Sequence, residues 1–212
     1  DQTRLSVKID ISQWVMLMSV ADIELAVTQV RGAGGTVYTP PTSLGDRGRI
    51  AVAGDPQGAL FALLQGAADP ADRDTPPPSG AFLWDVLWTA DKQAAADFYQ
   101  GLAPFTVEPL ELGDENSPLP YRLLRAEGAP RAGIRPLPDP QLPPMWVNYL
   151  RVTDAAELER VLSRVVSLGG EILVPATERP GGGSVAVIAG PSGAGIALQT
   201  WPVTERTQGE DE

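Results

Sequence analysis

Residues 14–22 read WVMLMSVAD, an apolar run closed by an aspartate. The run predicts a strand over 14–20, and Asp22 sits where a helix N-cap belongs, its carboxylate able to accept from the first free amides. A Gly-Gly pair follows the helical stretch, as at a helix C-terminus. Short apolar runs then predict strands near 36–39, 48–54 and 60–65. The same pattern returns at 146–154, WVNYLRVTD. There Leu158, Val161, Leu162, Val165 and Val166 recur at helical spacing, and strands follow near 171–174, 183–189 and 195–200. GGTVYTPPT (34–42) aligns without gaps on GGEILVPAT (169–177). GRIAVAGDPQGALFALLQ (48–65) aligns at the same offset on GSVAVIAGPSGAGIALQT (183–200). Turn residues recur in register, so the chain carries a duplicated βαβββ module. A more divergent copy occupies 81–138, with strands at 82–90, 105–112, 121–127 and 131–137 and a helix opened by Asp91.

Composition marks the connections and excludes chemistries. GAADPADRDTPPPSG (66–80) has the Pro, Asp and Gly content of a linker, and VTERTQGEDE (203–212) reads as a frayed acidic tail. The expected organisation is a single module over 1–65, the linker over 66–80, a paired domain over 81–202 and the tail over 203–212. There is no Cys and no His. That removes thiol and imidazole nucleophiles, Ser-His-Asp catalysis and His- or Cys-ligated metals. A net charge of −11 argues against a nucleic-acid partner. No apolar run is long enough to span a bilayer, so no membrane partner is expected. The opening Asp1-Gln2-Thr3-Arg4 is neither a start Met nor a signal peptide. The expectation is a cytoplasmic protein whose first module lacks a preceding half.

DVLWTADKQAAADFYQGL (85–102), GGTVYTPPT (34–42) and DPQGALFALLQ (55–65) resemble the vicinal oxygen chelate superfamily, which includes glyoxalase I, bleomycin-resistance proteins and extradiol dioxygenases. Within it the chain is similar to a tandem-domain, tryptophan-rich glyoxalase-like group. The resemblance implies an α+β fold of βαβββ modules, here one complete pair plus one unpaired module. Two such modules build a half-open sheet around a pocket. An unpaired module exposes an edge and an apolar face, so a homodimer is expected. The family's metal is held by His or Glu on the opening and closing strands. The matching positions are Trp84, Val147 and Val15, with Ala197 and Ala62. None can ligate a metal, so neither metal nor other cofactor is expected, although a carboxylate-only replacement site stays open.

Alternation along the strands assigns the pocket side. It gives Trp84, Val86 and Trp88, then Val147, Tyr149 and Arg151, then Ala197 and Gln199, as ligand-binding positions. Two indoles, a phenol, a guanidinium and a carboxamide suit a flat or anionic small molecule. Each also has a plainer reading: the tryptophans as core and Arg151 as a solvated arginine. Arg135 is read as a salt-bridging residue or a second anion contact. Trp14 and Trp146 recur in both copies and read as packing. Tyr149, Arg151 and Asp85 are the weak catalytic candidates, though the register turns Asp85 toward the helix. The Gly-rich stretches 31–36 and 180–184 fit neither a dinucleotide nor a P-loop motif. Glu111, Asp114 and Glu115 read as a solvated acidic loop or a weak calcium site. The leading expectation is metal-independent small-molecule binding or sequestration. Its alternatives are a cofactor-free lyase, isomerase or cyclisation enzyme, and an interaction protein with vestigial pockets.

Overall fold

The computed structural model describes residues 12–66, 77–114, 117–179 and 182–201. Most of the linker, the tail from 203, Glu115 and the side chains of Glu111 and Asp114 lie outside the described residues. Twelve strands and three α-helices follow the predicted order. The first module is β1 (Met16–Ser19), α1 (Ile23–Gly32), β2 (Thr36–Ser43), β3 (Arg49–Gly54) and β4 (Leu60–Gln65). The second is β5 (Phe82–Thr89), α2 (Lys92–Leu102), β6 (Thr106–Asp114), β7 (Ser117–Ala126) and β8 (Ala129–Pro136). The third is β9 (Met145–Val152), α3 (Ala155–Val165), β10 (Glu171–Glu178), β11 (Ser184–Ala189) and β12 (Gly195–Thr200). The class is α+β, as the pattern predicted.

Local chemistry fixes the boundaries. Asp22 accepts from the amides of Glu24 and Leu25, both at 3.0 Å. Asp91 accepts from Gln93 and Ala94, and Asp154 from Glu157. In the recurring Gly-Gly pair the first residue turns the chain, with φ of +86° at Gly34 and +81° at Gly169. The second allows close approach: a Cβ on Gly35 would lie 2.7 Å from the Gly54 carbonyl oxygen, and one on Gly170 2.6 Å from that of Ala189. β2 and β10 run longer than expected, through Pro40-Pro41 and Pro175. Both are outer strands, and in both the pairing register shifts around the prolines. A missing N–H is tolerated there.

The chain forms two compact units. One unit holds residues 12–66 together with 84–148; the other holds 77–83 together with 149–201. In the first unit, β1-β4-β3-β2 make one sheet and β5-β8-β7-β6 another, with Met145–Asn148 of β9 belonging to the same unit. Its core is one cluster shared by two modules: Ile23, Val27 and Val30 of α1, Phe61 and Leu63 of β4, and Phe98, Tyr99 and Leu102 of α2. The first module is therefore packed by its helix face. In the second unit β10-β11-β12-β9 form the sheet, and Leu158, Leu162, Leu198 and Val152 form a smaller core beneath α3.

Candidate functional site

Leu87 and Thr89 of β5 are fully buried, and Leu87 lies in the core beneath α2. Alternation puts Trp84, Val86 and Trp88 on the opposite face. β8 runs parallel to β5, with Val86 opposite Gly133 and Trp88 opposite Arg135. β7 adds Tyr121 and Leu123, the latter opposite Gly133. Tyr121 Oη accepts a hydrogen bond from Trp84 Nε1 at 2.9 Å. The Tyr121 ring crosses Gly133 so closely that a Cβ there would fall 1.5 Å from its hydroxyl oxygen. Beside this pair the Arg135 guanidinium carbon lies 5.7 Å from the centre of the Trp88 ring. Trp88 is 8% exposed. Trp88 Nε1 and Arg135 Nε are both buried without a hydrogen-bond partner among the described residues. A buried unpaired donor is costly, at about 1–3 kcal/mol each, so two on one sheet face mark that face for an acceptor.

The eight expected ligand-binding residues fall into two groups. Trp84, Val86, Trp88 and Val147 belong to the first unit. Tyr149, Arg151, Ala197 and Gln199 belong to the second, where Tyr149 stands opposite Ala197 and Arg151 opposite Gln199. Tyr149, Ala197 and Gln199 are buried on the sheet face away from Leu150 and Leu198.

Two of the catalytic candidates have other tasks. The Arg151 guanidinium donates from Nε to the Trp201 carbonyl and from Nη1 to the Pro77 carbonyl at 2.9 Å. Its backbone also pairs with Gly80 and Ala81. It clips the incoming chain and the end of β12 to β9. Asp85 lies on the helix side of β5 and accepts from Asn148 Nδ2 at 2.6 Å. It is turned away from Trp84, Val86 and Trp88. Arg135, expected to be salt-bridged first and an anion contact second, makes no ion pair among the described residues. Arg125 and Arg131, by contrast, pair with Glu108 and Glu127. Trp146 is core, as its recurrence suggested, whereas Trp14 is 45% exposed.

A second buried polar group was not foreseen. Asp55 Oδ1 accepts from the amides of Gln57 and Ala59 at 2.9 Å, and Oδ2 accepts from Tyr99 Oη at 3.2 Å. Tyr99 Oη in turn accepts from Trp146 Nε1 at 2.8 Å. Burial pushes the Asp55 carboxyl up, against the hydrogen bonds that favour its ionised form. Burial and the Asp55 charge push the Tyr99 hydroxyl well above the ordinary tyrosine range. Tyr99 thus stays protonated and joins three segments of chain instead of moving protons. The sequence did hold a signal: in the gapless alignment Asp55 stands where the other copy has Gly190. A surface groove of about 320 Å³ between α1 and α2 is lined by Val30, Ala33, Phe98 and Leu102, with Asp97 its one charged residue.

No protein-family model matches the sequence. The chain is 29% identical over 181 residues to CFP32 of Mycobacterium tuberculosis, a protein named as a glyoxylase; the match spans 85% of this chain and 67% of that protein. It is 28% identical over 186 residues to the anthracycline biosynthesis protein DauV of a Streptomyces, spanning 87% of this chain and 64% of that one. The chain therefore spans about two thirds of these relatives' length. Among solved structures, the Mn(II)-bound glyoxalase of Novosphingobium aromaticivorans superposes with a TM-score of 0.56 at 19% identity, over 88% of this chain and 62% of that one. The 2,2',3-trihydroxybiphenyl 1,2-dioxygenase of Sphingomonas wittichii gives 0.54 at 14%, over 92% and 73%. The chain has the vicinal oxygen chelate fold.

That fold implies a divalent metal, and the residues here do not fit one. The positions that the resemblance assigns to the metal carry Trp84, Val147 and Ala197 in the later modules, and Val15 and Ala62 in the first. The one polar side-chain atom in that set, Trp84 Nε1, is a donor already bonded to Tyr121. Among the described residues no three of Asp and Glu converge as a metal cluster. A likeness of fold does not carry the activity with it.

Proposed function

We propose that this chain binds an aromatic or anionic small molecule through the sheet face of Trp84, Val86 and Trp88, without a metal, and holds it unchanged. The observation that carries this reading is Trp88 Nε1, a buried donor on an aromatic face with no acceptor among the described residues. The face offers indole and phenol surface for stacking together with polar atoms that fix orientation, the usual make-up of a ligand site. The name of the Streptomyces relative, an anthracycline biosynthesis protein, agrees with a polycyclic aromatic ligand.

Calorimetric titration with 2-naphthoate and a panel of two- to four-ring aromatics tests the reading. The expected result is saturable one-site binding that is unchanged by EDTA, with the ligand recovered intact. Trp88→Ala should weaken binding roughly tenfold to hundredfold, the scale of losing one aromatic stacking partner and its hydrogen bond. Binding that EDTA abolishes, conversion of the ligand, or no binding across the panel would each overturn the proposal.

For assembly the reading is a homodimer. β1 is an outer strand of its sheet, and Val15 and Leu17 are 39% and 51% exposed. An open edge beside apolar side chains favours strand addition.

A further inference from the structure

Trp88 and Arg135 stand directly across from each other on paired parallel strands, and each carries a buried nitrogen without a partner among the described residues. Both orphan atoms are donors. A site built for a neutral hydrocarbon has no use for two, and a site built for a donor-rich ligand would offer acceptors. Two unpaired N–H groups on residues that face each other across paired strands, one of them on a guanidinium, match a planar anion with two oxygens. Charge points the same way. In a chain of net charge −11 an anion needs a specific cation, and Arg135 has no carboxylate beside it among the described residues. The guanidinium rests instead over the Trp88 ring. That cation–π contact is weaker than a charge-assisted hydrogen bond.

We infer that Trp88 and Arg135 form a gated carboxylate-recognition pair, so the ligand is an aromatic carboxylate. The inference rests on the binding role proposed above and specifies its chemistry. The free guanidinium covers the indole. An arriving carboxylate draws it aside and accepts from Arg135 Nε with one oxygen and from Trp88 Nε1 with the other, while the ring system packs against Val86 and the Trp84–Tyr121 pair. A neutral analogue offers no such exchange and leaves the guanidinium where it is. Arg135 is thereby a specificity determinant. Arg151, the arginine first favoured on sequence grounds, holds chain carbonyls instead.

Calorimetry with 2-naphthoate and its uncharged isostere 2-naphthamide reads the difference. On the wild-type chain the carboxylate should bind roughly tenfold to hundredfold tighter, the range for hydrogen bonds to charged groups. Arg135→Lys keeps the charge but removes Nε, and Trp88→Phe keeps the ring but removes its donor. Each should erase most of the preference, and an unchanged far-UV circular dichroism spectrum shows that the variant is folded. In a ¹H–¹⁵N spectrum the indole resonance missing from Trp88→Phe should move downfield with naphthoate and not with naphthamide. Equal affinity of the wild-type chain for both compounds would overturn the carboxylate pair and leave the binding role standing. A preference that survives in both variants places the anion elsewhere and also overturns it. Binding of neither compound overturns the binding role itself.

Discussion

At Asp55 burial and hydrogen bonding pull in opposite directions, and burial wins. The folded state therefore holds the protonated carboxyl better than the unfolded chain does. A raised folded pKa means that this group's contribution is fully present below the ordinary aspartate pKa and is lost as pH rises through the folded value. Ionised Asp55 thus destabilises the fold near neutrality, and acidification relieves it. Asp55→Asn keeps an acceptor for the Gln57 and Ala59 amides and removes the charge. Urea unfolding of both proteins across pH 4–7.5 should show the variant gaining on the wild type at neutral pH, with the gap closing toward pH 4. A gap that is constant or widens on acidification would refute the sign. Tyr99→Phe acts on the same group differently, because it leaves Trp146 Nε1 and Asp55 Oδ2 without their partner. It should lower stability by about 3 kcal/mol, on the order of two stranded buried groups. Residue roles were the part least legible in the sequence. Alternation placed Trp84, Val86 and Trp88 on one strand face and Asp85 on the other. It could not distinguish Arg151 from Arg135, because what a guanidinium reaches depends on chain segments distant in sequence. Arg151 meets Pro77 and Trp201, whereas Arg135 meets a cross-strand indole.

Most elements were legible to within two residues, apart from the start of β7 at Ser117 and the ends of β2 and β10, and the reason is local. Each helix starts at an aspartate that caps its own amides. In both repeated copies a Gly-Gly pair then turns the chain and lets it pass close to a neighbouring strand. These signals act over a few residues and need no tertiary context. The ends of β2 and β10 escaped because proline argues against a strand in general, yet an outer strand with a register shift accepts it. A paired substitution checks the glycine argument by thermal unfolding. Gly35→Ala drives a Cβ toward the Gly54 carbonyl and Val30, and should destabilise by about 1–3 kcal/mol, the range for overpacking. Gly101→Ala, in α2 with nothing within 4 Å of the added carbon, should stabilise by about 0.5–1 kcal/mol through helix propensity. Equal effects of the two would show that close approach is not what the second glycine serves.

On the scale of the molecule, the first module was expected to lack its preceding half, and its helix face packs on the second module. Phe61 meets Phe98 and Tyr99 edge-on at 6.0 and 5.6 Å, and Gln57 exchanges hydrogen bonds with the Asp91 backbone in both directions. A periodic sequence pattern shows that a helix has an apolar face but not which face it will meet, so this packing was illegible. What remains open is the outer edge of β1. In the same unit the opening strands of the other two modules, β5 and β9, lie next to each other, joined across Asp85 and Asn148. β1 is the opening strand of its module and, among the described residues, has β4 on one side only. The natural complement is a β1 strand from a second copy, which would also cover Leu17. Light scattering of the chain should then give twice its 22.4 kDa mass. Two copies each carrying −11 repel, so association should strengthen as salt screens that charge. Leu17→Lys places a cation on the edge without touching the core side of β1, where Met16 and Met18 are buried. It should return the monomer with an unchanged circular dichroism spectrum and unchanged naphthoate binding, because the Trp88 face lies on another sheet. A wild-type chain that stays monomeric at every concentration and salt level would show that the β1 edge is not a self-association surface.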